Sequence, residues 1–316
     1  MAKGEQVVDG ALAPSRVAWA FLMAAALALR FAAAALPYSG MSQPPKFGDY
    51  EAQRHWMELT LHTPLREWYV QTPHNDLLYW GLDYPPLTAY HSRLCALLMH
   101  FYEPESVALL SSRGYESPSS KLLMRITVII TDALILFPAA IVSSRLLWAQ
   151  TSAWAVFAAT ASLLLNPALI IIDHGHFQYN GVMAAFAVLS VALLYAGHVG
   201  RAAAAAAAAV LFKQMALLMA PYWLAAGFSL VMQTWRSHGI AAASLAVLRA
   251  AIGAGVVLAA ALLPFYFTGT LNNVFTRVFP VARGLYEDKV ATVWCAVSPL
   301  LKLQVRCPPV GPSLLP

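Results

Sequence analysis

Seven apolar stretches constrain this chain more than anything else in it. They run over about 17–36, 122–142, 152–172, 181–196, 202–214, 216–232 and 245–267. A helix needs roughly 20 apolar residues to cross the hydrocarbon core of a bilayer. Lipid also admits only structures that pair their backbone groups internally. The stretches therefore predict an all-α, polytopic transmembrane helical protein. Composition agrees: 59% of the 316 residues are hydrophobic and 11% are charged, whereas a soluble chain is about a quarter charged. The net charge of +5 is spread thinly and forms no Lys/Arg cluster, so nucleic acid is not an expected partner. Cys95, Cys295 and Cys307 are far apart and show neither metal-ligand spacing nor a disulfide framework.

The first stretch is longer than a signal-peptide core and reads as a retained helix. With residues 1–16 in the cytosol, the loops holding Arg145, Arg201 and Arg236 are cytosolic, in line with the positive-inside tendency. The two long polar segments, 37–121 and 268–316, then share the opposite face. Two charges fall inside spans. Arg30 lies near the end of its helix, where an arginine can snorkel, although an intramembrane charge is also a functional candidate. Asp132 is mid-span and needs a partner. Arg125 lies about two turns earlier on the same helix, too far to be that partner.

The first long segment is more than a loop. Residues 51–61 and 87–101 carry apolar side chains at helical spacing among polar ones. Both predict amphipathic helices at the membrane interface, the second opened sharply by Pro85-Pro86.

Four polar clusters could carry chemistry, and each has a plainer structural reading. Asp49 and Glu51, with Arg54 beside them, sit just past the first span. A carboxylate there suits a general base that activates an acceptor hydroxyl, whereas an Asp after a Gly is more often a turn residue. Trp80, Asp83 and Tyr84 offer ring faces for a sugar and a second carboxylate, or an interfacial aromatic belt and a helix cap. The run Asp173 to Gly181 holds His174, His176 and Gln178. Its histidine spacing fits no recognisable zinc pattern, so it reads as hydrogen-bonding groups facing a sugar or phosphate, or as a buried polar helix end. Arg283 and, at a predicted hairpin turn, Lys213 could hold phosphate oxygens; Arg283 could equally pair with Glu287 on a solvated surface. All four clusters fall on one membrane face, which argues for an interfacial site rather than a channel.

Longer strings carry a resemblance. FGDYEAQRHW at 47–56, YWGLDYPPLTAYH at 79–91, SRGYES at 112–117, HGHFQYN at 174–180, Lys213-Gln214-Met215 and FPVARGLYEDKVATVWC at 279–295 resemble, in order, the dolichyl-phosphate-glucose-dependent α-1,3-glucosyltransferases of the endoplasmic reticulum. The match covers about 30–304. The GDYEAQRHW and YEDK strings resemble the enzymes that add the first glucose to the nine-mannose lipid-linked precursor of N-glycosylation. The resemblance implies a GT-C fold with interfacial helices in a first lumenal loop at 37–121. It implies Asp49 as the base and Asp83 as a partner in acceptor binding. Dolichyl phosphate glucose is the implied donor, the dolichyl-pyrophosphate-linked oligosaccharide the implied acceptor, and the lipid bilayer the setting. No metal and no cofactor beyond the donor are implied.

The resemblance also divides the chain. Residues 17–304 form the N-terminal part of a GT-C module, and 305–316 are a divergent proline-rich tail. Family members continue further, so the competing expectation is a truncated chain with no transferase activity of its own. A transporter would need inverted repeats and broken mid-membrane helices, and neither stands out.

Overall fold

The computed structural model describes residues 13–279. They form twelve α-helices, five short 3-10 or π-helical segments and no β-strand. Four stretches are long and apolar enough to cross a membrane: Arg16–Ala34, Pro118–Trp148, Ala153–Phe177 and Gln214–Phe267. Two shorter apolar helices, Asn180–Tyr195 and Val199–Phe212, lie between them. The last long stretch is two helices, because Gly239 (φ 80°, ψ 175°) breaks it. All seven expected spans are thus helical, with ends shifted by a few residues. The fold is all-α and polytopic, as the hydropathy predicts.

Side-chain caps set several helix starts. α1 (Arg16–Ala34) begins at Ser15, whose Oγ accepts from the Ala18 N–H at 3.1 Å. α2 (Gly48–His62) and the short α3 (Leu77–Trp80) follow in the first long loop. α4 (Pro86–Tyr102) opens on Pro86, where a missing N–H costs nothing. α5 (Pro118–Thr131) is capped by Ser117, which accepts from Ser120 at 2.9 Å. It runs through a π-helical turn at Asp132–Leu136 into α6 (Phe137–Trp148). α7 (Ala153–Leu164) is capped by Ser152. Asn166 then caps the single turn α8 (Pro167–Leu169), and a π-helix spans Ile170–Phe177. α9 (Asn180–Tyr195), α10 (Val199–Phe212), α11 (Ala220–Phe267) and α12 (Leu271–Val278) complete the described residues.

Within the bundle, Asp132 finds two partners. Its Oδ2 accepts from Arg30 Nε at 2.7 Å and lies 3.0 Å from His174 Nε2. The three side chains come from α1, the α5–α6 helix and the 170–177 turn, and all are buried. Arg30 also donates to the carbonyls of Ala26 and Leu164, at 3.0 and 2.9 Å. Its guanidinium lies 4.8 Å over the Phe137 ring. Arg30 therefore does not snorkel: it is spent inside the protein.

The first long loop folds around α2. Amphipathic spacing predicts an interfacial helix there, but every residue from Tyr50 to Thr60 is buried. The charged ones, Glu51, Arg54 and Glu58, are satisfied by an internal ion network centred on Arg54. Arg54 binds Glu51 through two nitrogens, both at 2.6 Å, and Glu58 at 2.8 Å. It also donates to the Ser106 carbonyl at 3.1 Å and to Ser112 Oγ. Glu58 Oε1 takes the Leu110 N–H at 2.6 Å, and Glu51 Oε1 takes the Gly114 N–H at 3.2 Å and the Tyr79 hydroxyl at 2.9 Å. Three turns of the loop are thereby pinned to one helix. α4 packs beside α2 and exposes Leu94, Leu97, Phe101 and Tyr102, the apolar face that an interfacial helix needs.

Each of these buried charges depends on its partner. Removing one partner of a buried pair leaves an uncompensated charge and costs about 3–5 kcal/mol. Arg30→Met and Asp132→Asn should each destabilise the detergent-solubilised protein on that scale. The double variant should cost clearly less than the sum; strict additivity in denaturant titrations would dissolve the proposed coupling.

Acid acts on two groups of the loop, Glu58 and His91. Burial pushes the Glu58 carboxyl up, but the His55 hydrogen bond and the Arg54 charge outweigh it and hold Glu58 at about 2. Burial pushes His91, on α4, down from its ordinary 6.5 to about 4. Both folded values lie below the unfolded ones, so the unfolded chain binds more protons in acid. The stabilisation is complete above pH 6.5 and is lost first between 6.5 and 4, through His91, then between 4.5 and 2, through Glu58. The melting temperature should fall across both windows, and His91→Gln should flatten the upper one.

Candidate active site

Asp49 sits in the first turn of α2. A tight backbone crossing holds it there. Phe47 and Gly48 both have left-handed φ, 55° and 66°, and the chain at Ser39-Gly40 passes directly against them. A Cβ on Gly48 would lie 2.6 Å from the Ser39 carbonyl oxygen, and a Cβ on Gly40 would collide with the Phe47 backbone. Two glycines at this crossing let the loop close on the helix start. The Ser39 N–H then donates to the His176 carbonyl at 3.1 Å, which ties the loop to the 170–177 turn.

That turn supplies the partners of Asp49. Phe177 is buried with φ 88°, an outlier for a bulky side chain. Such a residue stores about 1–3 kcal/mol and persists only where its surroundings over-determine it. Phe177 packs edge-on against Tyr50 and Tyr179, at 5.0 and 5.6 Å between centroids. The reversal places the residues on either side of it at Asp49. His176 Nε2 lies 2.9 Å from Asp49 Oδ2, and Gln178 Nε2 donates to the same oxygen at 2.8 Å. Asp49 Oδ1 accepts no hydrogen bond from the described residues, and 42% of the side chain is accessible. One oxygen is fixed and the other is open.

Lys213 backs this arrangement. It lies between α10 and the 214–219 turn and is buried. Its Nζ donates to Gln178 Oε1 and to Asn180 Oδ1, both at 2.8 Å, and sits 4.7 Å over the Tyr84 ring. The amide of Gln178 thus links Lys213 to Asp49. Asp173, Asp49 and Asp83 all lie close enough to act on the ammonium electrostatically. Asp173 spends its carboxylate on the start of α9, accepting from the Asn180 N–H and side chain at 2.9 Å each and from the Gly181 N–H at 2.6 Å. Gly181 leaves no space for a Cβ beside Asp132; its bareness lets both carboxylates approach the helix.

The aromatic cluster flanks the same face. Tyr84 stands edge-on to Trp56 at 5.0 Å. Trp80 is half-buried; its Nε1 donates to the Lys46 carbonyl at 2.6 Å, while its own carbonyl accepts from Trp56 Nε1 at 2.8 Å. Asp83 is partly exposed at the turn before α4, and Gln214 Nε2 donates to its carbonyl at 3.3 Å.

The structure therefore gathers Asp49, His176, Gln178, Lys213, Tyr84 and Asp83 around one carboxylate, with Trp80 at the flank. It separates other candidates from it. Glu51 and Arg54 are turned inward and consumed by the α2 network, so neither presents a free polar atom to a substrate. His174 is buried on Asp132, on the opposite side of the 170–177 turn from His176. Lys213 spends two donors on protein oxygens and its third direction on a ring, so it positions Gln178 instead of offering an open anion site. Arg283 lies outside the described residues. Asn180 and Ser39 were not singled out in the sequence. Asn180 at least sits inside a polar string, whereas nothing local marks Ser39.

Comparison with known proteins supplies the family. The model of the ALG6, ALG8 glycosyltransferase family matches residues 21–308. A Gallus gallus protein named dolichyl pyrophosphate Man9GlcNAc2 alpha-1,3-glucosyltransferase is 44% identical over 281 residues, 88% of this chain and 54% of its own length. Proteins of the same name from Mus musculus and Saccharomyces cerevisiae are 43% and 41% identical, over 89% and 85% of this chain. They are covered over 55% and 49% of their own lengths, so the chain spans about half the length of the curated relatives it matches. A family match reaching from the first span past the last described helix leaves one conclusion: this chain belongs to the ALG6, ALG8 glycosyltransferase family.

Proposed function

We propose that this chain carries the acceptor-activating part of an α-1,3-glucosyltransferase site, with Asp49 as general base. The donor is dolichyl phosphate glucose and the acceptor the nine-mannose oligosaccharide on dolichyl pyrophosphate. The relatives' names specify the acceptor and the linkage; the donor comes from the resemblance of the motifs. The setting is the endoplasmic reticulum membrane, with residues 37–121 in the lumen.

The half-fixed carboxylate of Asp49 carries this reading. A general base needs one lone pair free to meet a proton and a rigid frame behind it. His176 and Gln178 hold Oδ2, which leaves Oδ1 for the acceptor. In the proposed step, Oδ1 takes the proton of the mannose 3-hydroxyl as that oxygen bonds to the anomeric carbon of glucose. The bond from that carbon to the phosphate oxygen breaks, and dolichyl phosphate leaves with the electron pair. A single displacement at a β-linked donor gives an α-linked product. Tyr84 and Trp80 offer ring faces for sugar stacking, and Asp83 offers a second acceptor for sugar hydroxyls.

Membranes carrying this chain, given labelled dolichyl phosphate glucose and the nine-mannose acceptor, should form the monoglucosylated lipid. Asp49→Asn should lower the rate by at least ~10²-fold. Lys213→Met, one residue removed from the proton, should cost less. Undiminished transfer in Asp49→Asn would sink the assignment of the base; no transfer by the unaltered chain would show that these residues do not suffice alone.

A further inference from the structure

A second polar feature lies at the far end of α10. That helix has 14 residues, about 20 Å at 1.5 Å per residue. Lys213 and the Asp49 site stand at its C-terminal end. At its N-terminal end, a cavity of about 810 Å³ opens between the α9–α10 turn and α11. His198, Arg201 and Arg249 line it, with Thr234, Leu245 and Ile252 among the rest of the wall.

Backbone contact fixes the depth of these cations. A Cβ on Gly200 would lie 2.9 Å from the Arg249 carbonyl oxygen, and Gly253 has no room for a Cβ against Gly200. The two helices therefore cross in near-backbone contact, one residue from Arg201 and beside Arg249. Both arginines are exposed. Among the described residues, neither has an ion-pair partner. The sequence holds no Asp or Glu between Asp173 and Glu287, so α9, α10 and α11 bring no counter-charge of their own to these cations.

An apolar groove adjoins this cavity. A second cavity, of about 390 Å³, shares Val199 with the first and runs up the alanine face of α10. Ala203, Ala206 and Val210 form one wall and Trp223, Leu224 and Leu258 the other, and no ionisable residue lines it. A cationic pocket adjoining an apolar groove is complementary to an amphiphile with an anionic head and a hydrocarbon tail. Arginine's fork suits phosphate oxygens, and basic pockets between membrane helices bind lipid head groups.

We propose that this groove binds an anionic phospholipid from the leaflet opposite the Asp49 site. Arg201 and Arg249 share its phosphate, and an acyl chain lies along Ala203, Ala206 and Val210. The site is separate from the glucosyl-transfer reading and stands without it.

The test uses the full chain in phosphatidylcholine nanodiscs, with phosphatidylserine added in steps. Native mass spectrometry counts bound lipid, and the melting temperature follows saturation. Binding of phosphatidylserine is expected over the phosphatidylcholine background. Arg201→Gln and Arg249→Gln should each weaken it by roughly fivefold, since a cation near a lipid surface contributes on that scale. Arg236→Gln, on the same face but outside the cavity, should leave it unchanged. Glycerophosphoserine, the head group without chains, should bind at least tenfold more weakly than the lipid. Equal weakening by Arg236→Gln would mean general surface charge and overturn the proposal. So would undiminished binding in both cavity variants, or a head group that binds as well as the whole lipid.

Discussion

A carboxylate in the middle of a membrane helix must be paired, because hydrocarbon offers it nothing. Asp132 is paired twice, with Arg30 and with His174. The constraint reaches well beyond the pair. Arg30 lies 102 residues away on α1, so satisfying Asp132 draws the first helix against the α5–α6 helix. His174 belongs to the turn that also bears His176 and Gln178. Once His174 is anchored on the membrane side, the next residues of that turn face the loop. The buried node thus orients the partners of Asp49 without touching Asp49.

The α2 network does the corresponding work from the other side. Arg54 takes Glu51 and Glu58 on its own helix and reaches the loop at Ser106 and Ser112. A buried ion network is a weak source of net stability. Its value here is geometric: it fixes which face of α2 is inside. With Tyr38 stacked on Tyr50 at 3.8 Å and Trp56 bonded to the Trp80 carbonyl, the helix has one seating, and its first turn points Asp49 out. Two bulky residues with left-handed φ, Phe47 and Phe177, bracket the contact between the two supports. Strain of this kind collects where a side chain must be aimed.

Much of this was legible in the sequence. Apolar runs gave the spans because lipid allows few alternatives, and Pro85-Pro86 marked the start of α4 by local chemistry. Asp49, His176, Gln178 and Lys213 stood out as polar groups beside apolar runs. What stayed hidden was allocation. Glu51, Arg54 and His174 look as available in the sequence as their neighbours, yet the fold consumes them. For Glu51, Arg54 and Glu58 a local signal existed: spacings of three and four on a helix place them as intrahelical pairs. For His174 and Arg30 none did, because their partner lies on another helix and the pairing is a property of packing. The burial of α2 was hidden for the same reason, since Glu51, Arg54 and Glu58 take further partners from loops far along the chain.

Lys213 shows how one residue can serve both ends of such a design. As the cap residue of α10, it lies where a cation is favoured by the helix dipole. There it faces Asp173, Asp49 and Asp83. A direct bond to Asp49 would occupy the carboxylate with a full charge and compete with any incoming hydroxyl. Interposing Gln178 avoids that: the amide accepts from the ammonium and donates to Oδ2, so position is transmitted while the charge is held back. The same logic separates Asp173, which is buried on the α9 start, from Asp49, which is left open. Two carboxylates near one lysine are thereby distinguished by their hydrogen bonds: Asp173 is consumed by the start of α9, whereas Asp49 combines a rigid frame of two partners with an oxygen that accepts nothing from the described residues.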